Sequence, residues 1–90
     1  MKIVAVCGNG LGSSLMLKIN IDSAIRELAI SGVEVSHCDL TSVASENADL
    51  VVVTKDLASH FAASTPVIVL ASVMAKAELK EKLSQFFTQN

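Results

Sequence analysis

The chain has 90 residues, of which 51% are hydrophobic, and a formal net charge of −2. That length suits one small domain, so we expect residues 1–90 to share one core. The small charge, with three Phe and no Trp or Tyr, argues against a nucleic-acid groove, which uses basic side chains and stacking aromatics. No apolar run reaches the roughly 18 residues that span a bilayer, and Met1-Lys2 leads into a strand pattern instead of a signal peptide. The sequence therefore predicts a cytoplasmic protein, a compartment that disfavours a structural disulfide.

The first half of the chain predicts a strand, a helix and a second strand. Residues 3–6 are too few for a helix and rich in β-branched side chains, as in a buried strand. From Ser13, apolar residues recur at helical spacing, and Gly32 is predicted to stop that helix. The apolar face consists of Leu17, Ile21, Ala24, Ile25 and Leu28. Residues 33–38 alternate, with two valines and His37 on one face and Cys38 on the other, which predicts an edge strand.

The second half predicts two buried strands and a closing helix. Residues 50–53 and 67–70 are apolar throughout, as expected of strands inside a sheet. A last helix is predicted over residues 75–87, where Glu78 and Lys82 have the i,i+4 spacing of an ion pair. Its apolar stripe consists of Leu79, Leu83, Phe86 and Phe87. Short helical segments are predicted between the strands, over residues 41–47 and 57–63.

This order of elements predicts the fold class. Strands that alternate with helices form parallel βαβ units with right-handed crossovers. With the alternating second strand at the edge, the strand order becomes 2-1-3-4. We therefore expect an α/β, flavodoxin-like three-layer sandwich, in which a four-stranded parallel sheet has helices on both faces. In that order the connections of the first and third strands run toward opposite edges, so a binding crevice is expected beside Cys7.

A glycine-rich segment follows directly after the first predicted strand. Three glycines in five positions let successive backbone N–H groups turn inward and approach an anion. The two serines are natural caps for the next helix, whose positive dipole end attracts an anion by about 0.3–1 kcal/mol. The segment therefore predicts a phosphate-binding loop, and it reads Cys7-Gly8-Asn9-Gly10-Leu11-Gly12-Ser13-Ser14.

Cys7 is the candidate nucleophile. A free thiol with a pKa of ~8.5 is only about 3% thiolate at pH 7, whereas a helix N-terminus can lower the pKa to ~7 and leave about half of the thiol ionised. The alternative is that Cys7 is a small buried hydrophobe, as a cysteine at the end of a strand commonly is. The glycines and serines that follow favour the catalytic interpretation.

The segment resembles the loops of two enzyme families. Low-molecular-weight tyrosine phosphatases have Cys, five residues and Arg, but Ser13 takes the arginine position here. The group that best stabilises a transferring phosphoryl is therefore missing, which disfavours hydrolysis of phosphoesters. The segment more closely resembles the IIB component of the bacterial phosphoenolpyruvate-dependent sugar phosphotransferase system (PTS), in the ascorbate and galactitol branch. There a strand runs into Cys-Gly-x-Gly-x-Gly-Ser-Ser, and the form with Val6 and Asn9 is most similar to the ascorbate type.

The resemblance implies a phosphotransferase that uses no metal ion and no cofactor. Cys7 would accept a phosphoryl group from a phosphohistidine on a IIA partner, hold it as S-phosphocysteine, and donate it to a sugar bound by a membrane IIC partner. The protein would associate with the membrane transiently, through IIC. Backbone amides and the two serine hydroxyls would bind the phosphoryl group, and the implied ligands are Gly8, Asn9, Gly10, Leu11, Gly12, Ser13 and Ser14.

Cys38 offers an alternative function. The end of the second strand should lie beside that of the first, so Cys7 and Cys38 could form a thiol redox pair, or the module could simply bind phosphate. The chain has no Cys-x-x-Cys motif, and a redox pair would not need the glycine loop, so a core position is expected for Cys38. His37 and His60 are expected to be structural or solvent-facing.

Residues around the motif have less specific predictions. Asp39 is expected to cap the next turn, because a carboxylate would repel a bound phosphate. Leu11 is expected to be exposed and to dock a partner, whereas at least one of Leu15 and Met16 is expected to be buried against the sheet.

Overall fold

A computed structural model describes residues 1–7, 11–61, 66–72 and 74–88 of the chain. The predicted strands, the two long helices and the first short helical turn are all confirmed. The second short segment begins two residues earlier than residue 57, ends before residue 61 and is a 3₁₀ helix. In chain order the elements are β1 Lys2–Cys7, α1 Leu11–Glu27, β2 Glu34–Asp39, a first 3₁₀ helix Val43–Ser45, β3 Leu50–Thr54, a second 3₁₀ helix Lys55–His60, β4 Val67–Leu70 and α2 Lys76–Thr88.

The four strands form one parallel sheet in the predicted order β2-β1-β3-β4. β1 is central, with Ile3 opposite both Val35 of β2 and Leu50 of β3. The outer position of β2 explains its alternating side chains, because an edge strand is partly exposed. Val35 packs against the core on one face of the sheet, and Cys38 is buried on the other.

The two faces of the sheet are covered differently. Both long helices pack on one face, where the buried residues are Ile3, Ala5, Leu17, Ile21, Ala24, Ile25, Leu50, Val52, Ile68, Leu70, Leu79 and Leu83. On the other face the buried residues are Val4, Val6, Cys38, Val51, Val53 and Leu57, with Val43 of the first 3₁₀ helix packed against them. Right-handed crossovers place α1 and the two 3₁₀ helices on opposite faces, because the step from β1 to β2 runs opposite to the steps toward β3 and β4. α2 follows the last strand and packs on the same face as α1. The α/β flavodoxin-like fold is confirmed.

The end of α1 corrects one prediction. The helix stops at Glu27, and Ala29 adopts the left-handed conformation with φ of 57°. The Ala29 N–H donates to the Arg26 C=O (3.2 Å) and the Ile30 N–H to the Ile25 C=O (3.1 Å), the bond pattern of a Schellman motif. Gly32 also has a positive φ, 76°, but it lies in the connection to β2. The prediction that Gly32 ends the helix is therefore wrong, because alanine takes the position that glycine usually occupies.

Candidate functional site

The carboxyl ends of the strands lie together at one edge of the sheet, at Cys7, Asp39, Thr54 and Leu70. The chain turns from β1 toward one side of the sheet and from β3 toward the other, so the gap between these two strand ends is a topological switch point. Cys7 is the last residue of β1 and is opposite Asp39, whereas the pairing of β1 with β3 runs as far as Val6 and Val53. The backbone of Cys7 therefore lies at the edge where a ligand crevice is expected.

Helix α1 begins at Leu11, so only residues 8–10 separate it from β1. The first N–H groups of a helix have no partner within it and lie at the positive end of its dipole. The first turn of α1 contains no acidic side chain that would neutralise that end. Ser13 and Ser14 lie inside this turn, so the prediction that they precede the helix as caps is wrong: the helix starts at Leu11, two residues before Ser13.

The loop itself falls largely outside the described residues. The helical backbone position of residues 11–14 is described, and their side chains and that of Cys7 are not. The exposure predicted for Leu11 lies outside the described part for the same reason. The phosphate contacts of the following residues stay predictions: Gly8, Asn9, Gly10, Leu11, Gly12, Ser13 and Ser14.

The carboxylate of Asp39, the neighbour of Cys7 on β2, accepts hydrogen bonds from the turn that follows it. Its Oδ1 accepts hydrogen bonds from the Thr41 hydroxyl (2.9 Å) and from the Ser42 N–H (3.0 Å). The hydrogen bonds from Ser42 and Thr41 lower the pKa of the Asp39 carboxyl. The prediction that Asp39 caps the next turn is confirmed.

Two polar residues at the end of β3, Thr54 and Lys55, lie near the switch point but were not predicted from the sequence as site residues. Thr54 is the last residue of that strand, and its hydroxyl donates to the Asp56 carboxylate. Lys55 follows and is exposed, and its charge helps to lower the pKa of Glu78. The signal that could have found them is the change from apolar to polar side chains directly after residues 50–53, on the far side of the switch point from Cys7.

Cys38 is a core residue, as predicted. It is 7% exposed, lies opposite Val6 and packs in the core with Val4 and Val6. Burial raises the pKa of the Cys38 thiol, and the negative charges of Glu46 and Asp39 add to the rise. The thiol is therefore protonated at neutral pH and is a poor nucleophile.

The two histidines lie away from the end of β1. His37 is half-buried and is opposite Ala5, two positions before the pair formed by Cys7 and Asp39. His60 is exposed at the end of the second 3₁₀ helix. This agrees with structural or solvent-facing positions for both.

An exposed apolar patch, which we call the α1 patch, lies on the first half of α1 and consists of Leu15, Met16 and Ile19. These side chains are 46%, 43% and 52% exposed. The prediction that Leu15 or Met16 is buried is wrong, because Leu17 and Ile21 set the buried face of the helix. At 3.6 residues per turn, Leu15 and Ile19 lie about 160° from Leu17 around the helix axis. The patch begins four residues after the start of α1, on the side of the molecule where β1 ends.

Two kinds of feature are absent from the described residues, a cluster of metal ligands and a membrane-spanning helix. In the ranges that the structure covers, no three side chains of His, Cys, Asp and Glu lie close enough together to hold a metal ion. Within the same ranges, no helix has the length and apolar character needed to cross a membrane.

Comparisons with known proteins bear on the identity of the chain. Residues 2–85 match the family model described as PTS system, Lactose/Cellobiose specific IIB subunit. A relative in Mycoplasma pneumoniae (strain ATCC 29342 / M129 / Subtype 1), the Ascorbate-specific PTS system EIIB component, is 30% identical over 88 residues. That alignment covers 94% of this chain and 93% of the relative. The family match runs from the start of β1 into α2.

Proposed function

The chain belongs to the PTS IIB family, whose members are phosphotransferases of sugar uptake, and from this premise we propose that Cys7 carries the phosphoryl group. The observation that supports this most is the position of Cys7. It is the last residue of a central strand, at the switch point of the sheet, just before the positive end of a 17-residue helix. A thiolate and a bound phosphoryl group are both stabilised by such an environment.

The proposed reaction has two transfers. In the first, the Cys7 thiolate attacks the phosphorus atom of a phosphohistidine on IIA, so that the P–N bond breaks and a P–S bond forms. The imidazole nitrogen leaves with the electron pair. In the second, a sugar hydroxyl bound by the membrane protein IIC gives its proton to a base of IIC or to water and attacks the same phosphorus. The P–S bond breaks, and Cys7 leaves as a thiolate that is ready for the next cycle.

The loop and the start of α1 would hold the phosphoryl oxygens through both transfers. Backbone N–H groups that are held in a fixed orientation stabilise such negative charge without reorganisation during the reaction. Residues 8–14 supply these groups under the proposal, with the hydroxyls of Ser13 and Ser14 as further donors. Positioning and electrostatic stabilisation account for most of the catalysis in phosphoryl transfer.

The α1 patch is the proposed contact surface for IIA and IIC. Both partners must reach the same sulfur atom in turn, so their contact surfaces must surround the end of β1. A large apolar side chain on a protein surface is tolerated singly, but neighbouring ones favour an interaction site. Met16 in particular has a flexible side chain that can adapt to two different partners.

For the substrate we propose a sugar of the ascorbate or galactitol kind. The proposal rests on the form of the loop and on the name of the Mycoplasma pneumoniae relative. The alternative function as a thiol redox module is disfavoured, because Cys38 is buried and its pKa is raised. A buried, protonated thiol reacts slowly with a disulfide or an oxidant.

The test is a phosphorylation assay followed by mass mapping. The protein is incubated with phosphoenolpyruvate, the general phosphorelay proteins and a IIA protein, and the modified residue is located by peptide mass spectrometry. One phosphoryl group on Cys7 is expected, and none in the Cys7→Ser variant. Cys38→Ala is the matched control, since it removes the other thiol and should be phosphorylated like the parent protein. Phosphorylation that persists in Cys7→Ser would overturn the proposal.

A further inference from the structure

β4 is an edge strand, and one row of its backbone groups faces away from the sheet. The Val51 N–H donates to the Pro66 C=O (3.0 Å), and Val51 is opposite Val67 in the parallel ladder. Because successive residues of a strand bond to opposite sides, this bond fixes the direction of all the others. The backbone groups of residues 66, 68 and 70 face β3, and those of Val67, Val69 and Ala71 face outward.

Two side chains of α2 occupy part of that outward row. The Lys82 Nζ donates to the Val69 C=O (2.5 Å), and the Ala71 N–H donates to the Glu78 Oε1 (3.1 Å). The other oxygen of Glu78, Oε2, lies 3.0 Å from the Lys82 Nζ. One ion pair thus binds a C=O and an N–H two residues apart, the same spacing that a neighbouring strand would use.

The remaining outer edge of β4 borders an open groove of about 410 Å³. The groove is lined by Val67, Ile68, Val69, Lys82, Gln85 and Phe86. Every residue of β4 is apolar, in contrast to β2, the other edge strand, which includes Glu34, Ser36, His37 and Asp39. An apolar, β-branched edge is the kind that pairs with other chains unless a charge or another obstacle prevents it.

We propose that the Glu78–Lys82 ion pair closes the edge of β4 against pairing with a second copy of this chain. A second copy is the relevant partner because it carries the identical edge. Two such edges related by a two-fold axis would pair as antiparallel strands and join two sheets into one. To do so they would have to displace the Lys82 ammonium from the Val69 C=O and the Glu78 carboxylate from the Ala71 N–H. The ion pair therefore blocks the backbone groups through which this edge would pair with another strand.

The test compares Lys82→Met with Lys80→Met by sedimentation over a range of protein concentrations. Lys82→Met keeps an unbranched chain but removes the donor and the charge at the edge. Lys80→Met is the matched control, because it makes the same change on the same helix and breaks the surface pair of Lys80 with Glu27 (3.2 Å). We expect Lys82→Met to form dimers with a dissociation constant at least tenfold lower than that of the parent protein or of Lys80→Met. Identical sedimentation of all three proteins at every concentration would overturn the proposal.

Amide hydrogen exchange distinguishes pairing of the β4 edges from nonspecific association of the variant. In dimers of Lys82→Met, the outward N–H groups of Val67 and Val69 should exchange at least tenfold more slowly than in the same variant diluted to monomers. Association that leaves these two exchange rates unchanged would also overturn the proposal, since the contact would then lie elsewhere.

Discussion

The amino end of the sheet and the carboxyl ends of β2 and β3 are held in different ways. At the amino end, the Lys2 N–H donates to Asp49 (2.7 Å), and the Met1 amino group donates to the Gly32 C=O (3.3 Å). The first bond joins two residues that are 47 positions apart in the chain, and the second joins two that are 31 positions apart. At the carboxyl ends of β2 and β3, the hydrogen bonds of Asp39 and Thr54 reach only two or three residues along the chain. The amino end ties different parts of the fold together, whereas these carboxyl ends organise only their own turns.

The difference shows how a small domain can separate stability from chemistry. Long-range bonds resist unfolding because they fix segments that are distant in the chain. Short-range bonds shape a turn without tying it to the rest of the protein, so turns at the carboxyl edge can be specialised for a ligand and for partners. Changes at the two ends should therefore have different consequences.

The largest effect is expected from Ile19→Ser in the α1 patch, on the half of α1 that begins at the carboxyl end of the sheet. If the patch contacts IIA, the KM for phosphorylated IIA should rise about tenfold, which corresponds to roughly 1.4 kcal/mol of lost contact energy. The melting temperature should stay close to that of the parent protein, because Ile19 is 52% exposed. Arg26→Ser, at an exposed position in the last turn of the same helix, serves as the control and should leave KM unchanged. Equal KM values for Ile19→Ser and the parent would contradict a docking role.

At the amino end, Asp49→Ala should lower stability without affecting phosphoryl transfer. It removes the acceptor of the Lys2 N–H, so we expect a loss of about 0.5–1.5 kcal/mol in the free energy of unfolding, measured with urea. Asp56→Ala is the matched change at the carboxyl end, where the bond to Thr54 is local. Asp56→Ala should lower the free energy of unfolding by less than Asp49→Ala does. If both variants lose the same stability, the contrast between the two ends does not hold.

The smallest effect concerns two carboxyl groups, one at each end. The hydrogen bond and charge of Lys2 (Nζ–Oε1 2.9 Å) lower the pKa of Glu46, whereas hydrogen bonds from Ser42 and Thr41 lower the pKa of Asp39. Because both folded pKa values lie below the unfolded ones, each carboxylate adds stability above its unfolded pKa, and this is lost as the pH falls through its folded pKa. High salt screens charges, so in 1 M salt the pKa of Glu46 should rise toward its usual value more than that of Asp39. NMR titrations in low and high salt measure both, and equal shifts would contradict this assignment of causes.

Most of the fold could be predicted because its signals are local. The apolar runs at residues 3–6, 50–53 and 67–70 and the alternation of β2 predict four strands and the edge position of one. The end of α1 could not be predicted in the same way. Ala29 has no sequence signal for a left-handed conformation, and Gly32, which has one, uses it in the connection to β2.

For the candidate site, only the position of Cys7 in the fold can be compared with the structure, and the chemical roles of residues 7–14 stay predictions. The motif places Cys7 at the end of β1, and the structure has the backbone of Cys7 there. The exposure of Leu15 and Met16 was missed because an apolar residue can lie on either side of a helix, and only contact with the sheet decides which. The hydrogen bond from Lys82 to Val69 also could not be predicted from the sequence, since it joins two elements that meet only through tertiary packing.

The central position of β1 has a consequence for synthesis of the protein. The strand that bears Cys7 precedes both of its neighbours in the chain, and β3 is complete only at Thr54. On the ribosome, β1 therefore emerges with no strand to pair with, and its contacts form only when distant residues have been made, which is slow compared with local folding. Cys7 thus leaves the ribosome before the neighbouring strands that form its edge of the sheet have been made.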